Sequence, residues 1–214
     1  MKKELTLQEE EKNNDFRVTI FGSARIKESD ELYSNVFEIA KFLAEKDIDV
    51  VTGGGPGLMQ AANEGHNAGN TTKKSQSIGL TIDLPIETRN KHLDIEKHFH
   101  VFSKRLDQFM RLSNVVIVMP GGVGTCLEFF YAWQLMQVEH TCDIPIILYG
   151  DMWEQLLAWI KEYPLKAGLI SPKDLNMIFV AHDKEATIEI IEKTHQEFLD
   201  GGDGYCVNSK KYNH

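Results

Sequence analysis

The sequence predicts a protein of the α/β class, with a doubly wound, mainly parallel sheet of about seven strands and helices on both faces. Short apolar runs recur along the chain without the alternation of a half-exposed strand, which is typical of strands covered on both faces. Most runs precede a segment whose apolar residues recur at helical spacing, as in parallel strands joined by right-handed crossovers. At 214 residues, the chain is long enough to bury one full core.

The first half of the chain predicts four strands and two helices. Apolar residues within 29–47, among them Leu32 and Val36, recur at helical spacing behind Ser29, a candidate N-cap. The second helix, 57–69, ends on a glycine, which is common at helix C-termini. The strands of this half are predicted, in chain order, at 17–22, 49–55, 76–82 and 98–102.

The second half of the chain continues the same alternation and completes a Rossmann-like sheet. The long segment 122–140 predicts a helix that begins inside the glycine-rich stretch PGGVGT. The remaining predicted helices are 103–113, a segment through Trp153, Leu156, Leu157 and Ile160, and a closing helix at 184–199. The strands are predicted at 114–120, 144–150 and 176–183.

The domain organisation predicted from the sequence is one domain with two short extensions. Residues 16–200 contain no repeat, linker or shift in composition and form the predicted domain. Residues 1–15 are rich in charge and lack the apolar centre of a signal peptide, so they predict a flexible charged arm. Residues 201–214 predict a loosely ordered tail. No apolar run approaches the ~20 residues that span a bilayer, which predicts no membrane contact.

The charge and cysteine content narrow the function classes. The formal net charge is −9, which disfavours a nucleic-acid partner because such proteins usually present a basic face. The three cysteines, Cys126, Cys142 and Cys206, have no metal-ligand spacing, and their odd number favours a reducing cytoplasm over a disulfide framework.

Three turns rich in glycine or small polar residues follow predicted strands: FGSAR (21–25), TGGGPG (52–57) and MPGGVGT (119–125). Ligands of open parallel sheets bind beyond the carboxyl ends of the strands. Glycines there let backbone amides approach an anion, and the helix after PGGVGT directs its positive end to the same place. The turns predict a phosphate-bearing ligand held by Gly22, Ser23, Gly54, Gly55, Gly121, Gly122, Gly124 and Thr125. In the alternative, the glycines only permit tight turns.

A dinucleotide is the less favoured ligand. The turn after the first predicted strand has no GxGxxG, and the stretch GGGPGLMQ carries Leu58 where the dinucleotide fingerprint requires its third glycine. The sequence also lacks an obvious acidic residue that closes a strand at the expected distance and binds the ribose.

The stretches GGGPGLMQAANEG and PGGVGTCLE resemble the Lonely Guy (LOG) family, whose hallmarks are GGGxxGLM and PGGxGTxxE. The resemblance covers residues 17–165 and is closer to the bacterial nucleotide 5′-monophosphate nucleosidases than to the short plant-type enzymes. It implies a homodimeric phosphoribohydrolase that needs no cofactor. Such an enzyme cuts nucleoside 5′-monophosphates, AMP-like or cytokinin riboside monophosphates, into free base and ribose 5-phosphate. The family was long labelled as lysine decarboxylases.

The same resemblance assigns two catalytic residues. Glu128 is the acid of PGGxGTxxE, and Arg105 stands where the family places its catalytic arginine. The family usually has a lysine after that arginine, whereas this chain has Leu106. Cleavage of an N-glycosidic bond develops positive charge on the ribose, which a carboxylate stabilises. Arg105 would hold Glu128, contact the ribose or phosphate, or assist the leaving base, and the sequence leaves these three roles open.

Two other interpretations remain from the sequence. A non-catalytic nucleotide-binding or carrier protein on the same scaffold is the alternative function. A metal site is disfavoured: His98 and His100 share one strand face and His92 is near in sequence, but no cysteine or carboxylate pair obviously completes a set of three or four ligands. The predicted site therefore contains no metal.

Overall fold

The sheet of this protein has seven strands, all parallel, in a computed structural model that describes residues 14–83, 90–201 and 205–212. The strands are β1 (Arg17–Phe21), β2 (Asp49–Thr52), β3 (Ser77–Ile82), β4 (Ile95–Phe99), β5 (Val115–Val118), β6 (Ile146–Tyr149) and β7 (Ile178–Ala181). Their order is β4-β3-β2-β1-β5-β6-β7. The predicted α/β class and Rossmann-like sheet are confirmed, whereas most of the predicted N-terminal arm lies outside the described residues.

Helices cover both faces of the sheet. They are α1 (Glu31–Glu45), α2 (Leu58–Gly69), α3 (Phe102–Leu112), α4 (Val123–Gln137), α5 (Glu154–Ile160), α6 (Lys184–Gly201) and a short C-terminal helix α7 (Asn208–Lys211). Within the described ranges, no helix combines the length and apolar character that a bilayer crossing requires. The N-cap of α1 is Asp30 rather than the predicted Ser29.

Two apolar cores lie on opposite faces of the sheet, which explains the unbroken apolar runs of its inner strands. One core joins Phe21 of β1 to Phe109 of α3 and Phe129 of α4. The other joins the neighbouring β1 residue, Ile20, to α1, α2 and α6. Because successive strand residues point to opposite faces, both Ile20 and Phe21 are buried.

The strand order reverses at β1, where the chain turns to β2 on one side and later to β5 on the other. Backbone divergence at such a point leaves a crevice beyond the carboxyl ends of the strands. Here the turns after β1, β2 and β5 meet at that crevice.

The strand β4 begins and ends earlier than predicted, at Ile95–Phe99 rather than 98–102. Among the described strands it is an edge strand of the sheet and pairs with β3, in register from Ile78–Ile95 to Ile82–Phe99. An edge strand needs fewer apolar residues, so the polar residues 96–98 did not indicate a strand in the sequence.

The C-terminal segment differs from the sequence-based expectation of a loosely ordered tail without disulfides. Cys206 forms a disulfide with Cys142, while Cys126 is a free thiol. Asn208 is buried, accepts a hydrogen bond from the Cys142 amide (2.7 Å) and donates one to the Ser113 carbonyl (3.1 Å). The two bridging cysteines are 64 positions apart, so only the fold shows that they meet.

Candidate active site

A cleft of about 630 Å³ opens where the turns after β1, β2 and β5 converge. Its lining comes from the end of β1 and the turn after it, the β2 turn, the start of α2, helix α3 and the first turns of helix α4. The residues that contribute are Ile20, Phe21, Gly22, Ser23, Ala24, Arg25, Gly53, Met59, Phe102, Arg105, Leu106, Gly122, Val123, Gly124, Thr125, Leu127 and Glu128. The cleft thus contains both predicted catalytic residues and five of the eight predicted phosphate-binding residues.

Backbone hydrogen bonds fix the three turns relative to one another. The amide of Ser23 donates to the Pro120 carbonyl (3.2 Å), and the amide of Met119 donates to the Phe21 carbonyl (2.8 Å). The carbonyl of Ser23 accepts from the amide of Leu58, the first residue of α2 (3.1 Å). The β1 turn is therefore attached to both of the other glycine-rich turns.

Three of the predicted glycines do not line the cleft: Gly54, Gly55 and Gly121. Gly54 has a φ of +71°, a conformation that favours glycine, and a Cβ on Gly121 would lie 2.2 Å from Thr125 Oγ1. Gly53 lines the cleft instead, although the sequence analysis did not select it. Nothing in the run of three glycines distinguishes the one that faces the cleft.

Gly122 and Gly124 line the cleft, and a Cβ on either would meet no atom within 4 Å. Packing therefore gives no reason for a glycine at these two positions. Gly122 is the N-cap of α4 and makes no side-chain cap, and the first-turn amides of a helix have no acceptor within the helix itself. Helix N-termini with open space at their first amides are places where anions can bind in proteins.

The guanidinium of Arg105 is buried beside the cleft and held by one carbonyl within β3 and one just after β2. Nε donates to the Leu80 carbonyl (2.6 Å), and Nη2 donates to the Gly53 carbonyl (3.4 Å). The guanidinium carbon lies 5.3 Å from the centre of the Phe109 ring, in cation–π range. A Cβ on Gly53 would lie 2.4 Å from Nη2. A larger residue at this position would therefore displace the guanidinium.

Glu128 lies half-buried on α4 and faces the same cleft as Arg105. It lies in the N-terminal half of α4, which begins after the N-cap Gly122, so its carboxylate is near the open N-terminus of this helix. The structure thus brings the two predicted catalytic residues, which are distant in sequence, to one cleft.

A cluster that the sequence analysis missed joins α3, α4 and the C-terminal segment. The hydroxyls of Tyr131 and Tyr212 both donate to Asp107 Oδ1, the latter at 2.7 Å, and lie 3.2 Å from each other. Burial, and then the hydrogen bond to Asp107, raise the pKa of Tyr131. Burial likewise raises the pKa of Tyr212. Asp107 and Tyr131 stand on the same helices as Arg105 and Glu128, so this cluster fixes the two helices relative to each other.

The remaining wall of the cleft is apolar. Met59, Phe102, Leu106 and Leu127 contribute to it, and Leu106 is buried. Among the described residues that line the cleft, Glu128 carries the only carboxylate, and none is histidine, cysteine or lysine. The described lining therefore offers no set of metal ligands.

An exposed apolar stripe adjoins the cleft on α4. Val123, Leu127 and Phe130 recur at helical spacing, and Val123 is 88% exposed. Phe102 at the start of α3 is also half-exposed. Exposed apolar side chains that lie together beside a cleft are a candidate protein interface.

Comparisons with known sequences give one family and several relatives. The family model described as possible lysine decarboxylase matches residues 59–191. The pyrimidine/purine nucleotide 5′-monophosphate nucleosidase of Escherichia coli K12 is 30% identical over 140 residues, which are 62% of this chain but 30% of that protein. The probable cytokinin riboside 5′-monophosphate phosphoribohydrolase of Oryza sativa subsp. japonica is 28% identical over 185 residues, covering 83% of this chain and 72% of that protein.

Solved structures share the fold at low sequence identity. The molybdenum cofactor carrier protein of Chlamydomonas reinhardtii superposes with a TM-score of 0.63 at 19% identity, over 85% of this chain and 99% of that one. The molybdenum cofactor binding protein of Rippkaea orientalis gives a TM-score of 0.59 at 20% identity, over 83% of this chain and 94% of that one. At these identities the likeness establishes the fold alone.

Proposed function

The chain belongs to the possible lysine decarboxylase (LOG) family, and we propose that it hydrolyses the N-glycosidic bond of nucleoside 5′-monophosphates to release free base and ribose 5-phosphate. The observation that carries this proposal is the placement of Arg105 and Glu128 in one cleft with an open, glycine-lined helix N-terminus. The named activities of the similar E. coli and rice proteins agree with it.

The 5′-phosphate would bind at the N-terminus of α4. Backbone amides and the positive end of a helix hold a phosphate without side-chain cations, which suits a chain of net charge −9. The space beside Gly122 and Gly124 lets a phosphate approach that backbone closely. Ser23 of the neighbouring turn supplies a hydroxyl on the same side of the cleft.

Glu128 would act on the ribose. Departure of the base develops positive charge at C1′, and a carboxylate beside this carbon stabilises the oxocarbenium-like transition state. The same carboxylate can orient or deprotonate the attacking water. With the phosphate at the start of α4, a residue further into that helix lies where the sugar follows the phosphate.

Arg105 would provide a fixed positive charge at the cleft. An arginine remains protonated at any pH of interest, and the Leu80 and Gly53 carbonyls hold this guanidinium in one place. Such a fixed cation favours both an anionic substrate and the ionised form of a nearby carboxylate.

The apolar wall would hold the base, and AMP-like or cytokinin riboside monophosphates are the proposed substrates. The α4 stripe beside the cleft would pair with a second copy of the chain, in a homodimer of the kind that the family resemblance implies. A pyridoxal-dependent decarboxylase would need a lysine for the Schiff base, and no described residue of the cleft lining is a lysine.

A nucleotide-binding or carrier protein without hydrolysis is the second candidate. Leu106 favours it, because an apolar side chain stands where the family usually has a lysine next to the catalytic arginine. The conjunction of Arg105 and Glu128 favours the enzyme, because simple binding does not require an acid at the sugar.

The decisive experiment is chromatography of AMP, GMP, CMP, UMP and isopentenyladenosine monophosphate after incubation with the protein. We expect free base and ribose 5-phosphate from the wild type and at least a hundred-fold slower release from Glu128→Gln, since one positioned acid or base contributes ~10²–10⁴ to a rate. Glu139→Gln is the matched control, because Glu139 is exposed just beyond the same helix. Intact nucleotides that still raise the melting temperature would favour the carrier instead.

A further inference from the structure

A second group of potential ligands lies outside the cleft, at the carboxyl end of the edge strand. His98 Nε2 is 3.2 Å from Asp83 Oδ1, and His100 Nδ1 is 3.6 Å from Asp83 Oδ2. One ligand atom from each of the three residues lies within 4.8 Å of the other two. All three side chains are accessible to solvent, so an ion can reach them.

The pairing of β3 with β4 brings these residues together. Thr81 stands opposite His98 in this register, and alternate residues of a strand share a face, so Asp83 and His100 lie on the same face one step further along. From the sequence, a metal site was disfavoured because no cysteine or carboxylate pair obviously completed a ligand set with His92, His98 and His100. The carboxylate comes instead from the end of the neighbouring strand, a position that only the register reveals.

A hydrogen-bond chain orients His98 as a metal ligand. The hydroxyl of Thr81 donates its proton to Glu96 Oε1 (3.1 Å), so the same oxygen must accept from Nδ1–H of His98 (3.1 Å). This leaves Nε2 as the ring nitrogen that faces the Asp83 carboxylate, 3.2 Å from Oδ1. Metal-bound histidines are commonly oriented by such a second partner.

We propose that Asp83, His98 and His100 bind a divalent transition-metal ion, with zinc as the best match. Zinc takes histidine nitrogen and carboxylate oxygen at about 2.0–2.1 Å in tetrahedral geometry, which puts neighbouring ligand atoms about 3.4 Å apart. The distance of 3.2 Å from His98 Nε2 to Asp83 Oδ1 is close to this value. His100 Nδ1 lies 3.6 Å from the other carboxylate oxygen, Oδ2, which is too long for a hydrogen bond. Imidazole ligands favour zinc, copper or nickel over magnesium or calcium.

The ion would link two strand ends and the start of α3. Asp83 follows β3, whereas His100 stands between β4 and α3, the helix that carries Arg105. A metal bound here stabilises the native state, because the unfolded chain does not hold the three ligands together.

A second His-carboxylate cluster provides a matched control. His182 Nδ1 is 2.8 Å from Asp151 Oδ1, and His182 Nε2 is 3.7 Å from Glu154 Oε1. Here one histidine faces a carboxylate with each nitrogen, which is the arrangement of an ion pair. This cluster offers one imidazole where the proposed site offers two, so Asp151→Asn should leave zinc binding unchanged.

The test is calorimetric titration of zinc chloride into the EDTA-treated, dialysed full chain, together with the zinc-dependent shift in melting temperature. We expect one zinc ion per chain, at least ten-fold weaker binding in Asp83→Asn and His100→Asn, and about ten-fold or greater weakening in Thr81→Val through the orientation of His98. Without metal, the Asn variants should melt like the wild type, because Asp83 and His100 are exposed.

Two results would overturn the proposal. One is the absence of binding by the wild type at 100-fold excess of zinc over protein, which would leave the cluster as an ion pair. The other is wild-type affinity in Asp83→Asn and His100→Asn, or a loss of binding in Asp151→Asn, either of which would place the zinc elsewhere.

Discussion

The glycines after β5 either hold a phosphate or only permit a tight turn. At Gly122 and Gly124 these two explanations predict different effects of substitution. If glycine is needed there only for the turn, an added methyl group should cost stability. The structure shows open space at both positions, and Gly122 has an extended backbone (φ −95°, ψ −155°) that alanine tolerates. An added methyl group would instead occupy the space that a phosphate needs to approach the α4 amides.

We expect Gly122→Ala to change the free energy of unfolding by less than about 0.5 kcal/mol. We expect Gly124→Ala to raise it by about 0.5–1 kcal/mol, because alanine is the better helix former. Both should weaken AMP binding at least ten-fold, measured by calorimetry in the Glu128→Gln background so that the nucleotide is not consumed. Gly121→Ala is the steric control, and the contact with Thr125 at 2.2 Å should lower its stability. Unchanged AMP affinity in both cleft variants would contradict the phosphate site.

At the scale of elements, the cluster of Asp107, Tyr131 and Tyr212 holds helices α3 and α4 in place. Burial and Asp107 raise the pKa of Tyr131, so the folded protein keeps this hydroxyl protonated at a pH where the unfolded chain ionises it. The stabilisation is therefore fully present below the ordinary tyrosine pKa of 10.0 and is lost as the pH rises above it.

Tyr131→Phe should lower the free energy of unfolding by about 1.5–3 kcal/mol at pH 7, as expected for a hydrogen bond to a charged group. Above pH 10 this difference should shrink by up to about 1.4 kcal/mol per pH unit, because only the wild type loses stability through ionisation of Tyr131. Denaturant unfolding of both proteins at pH 7, 10 and 11 measures this difference in stability.

In the same variant, nucleotide turnover should fall while AMP affinity changes little, because the cluster positions the helices and does not line the cleft. A stability difference independent of pH would contradict the raised pKa.

Some elements of the fold could be predicted from the sequence more accurately than others. The inner strands were predictable because burial on both faces leaves unbroken apolar runs, as in β5 and β6. The edge strand β4 was predicted too late in the sequence, because its exposed positions carry polar residues. Long-range partners were not predictable: the Cys142–Cys206 disulfide and the approach of Asp83 to His98 arise from the tertiary fold and the strand register.

For the candidate site, local motifs were sufficient to select Arg105 and Glu128 and the α4 glycines, which do line one cleft. They could not choose among Gly53, Gly54 and Gly55, because the backbone direction within the turn decides which glycine faces the cleft. They also could not identify Tyr212, whose role depends on the C-terminal segment folding back onto α3 and α4.

At the scale of the whole molecule, the stripe on α4 is the surface through which we propose that two copies of the chain pair. Val123, Leu127 and Phe130 form it, and the first two also line the cleft, so pairing through this stripe would bring a second chain to the border of each cleft. Apolar side chains at the centre of an interface supply most of its affinity, whereas a charge buried there without a partner is costly.

Phe130→Asp should therefore convert a dimer into a monomer of 24.4 kDa, measured by sedimentation velocity. Phe130 does not line the cleft, so the change acts on assembly rather than on substrate contacts. Leu169→Asp is the control, because Leu169 is 75% exposed and stands outside the stripe, and its variant should stay dimeric. If the Phe130→Asp monomer also loses nucleotide hydrolysis, the second chain completes the site. Full activity would mean that each cleft works alone, and a dimer that survives Phe130→Asp would exclude the α4 stripe as the interface.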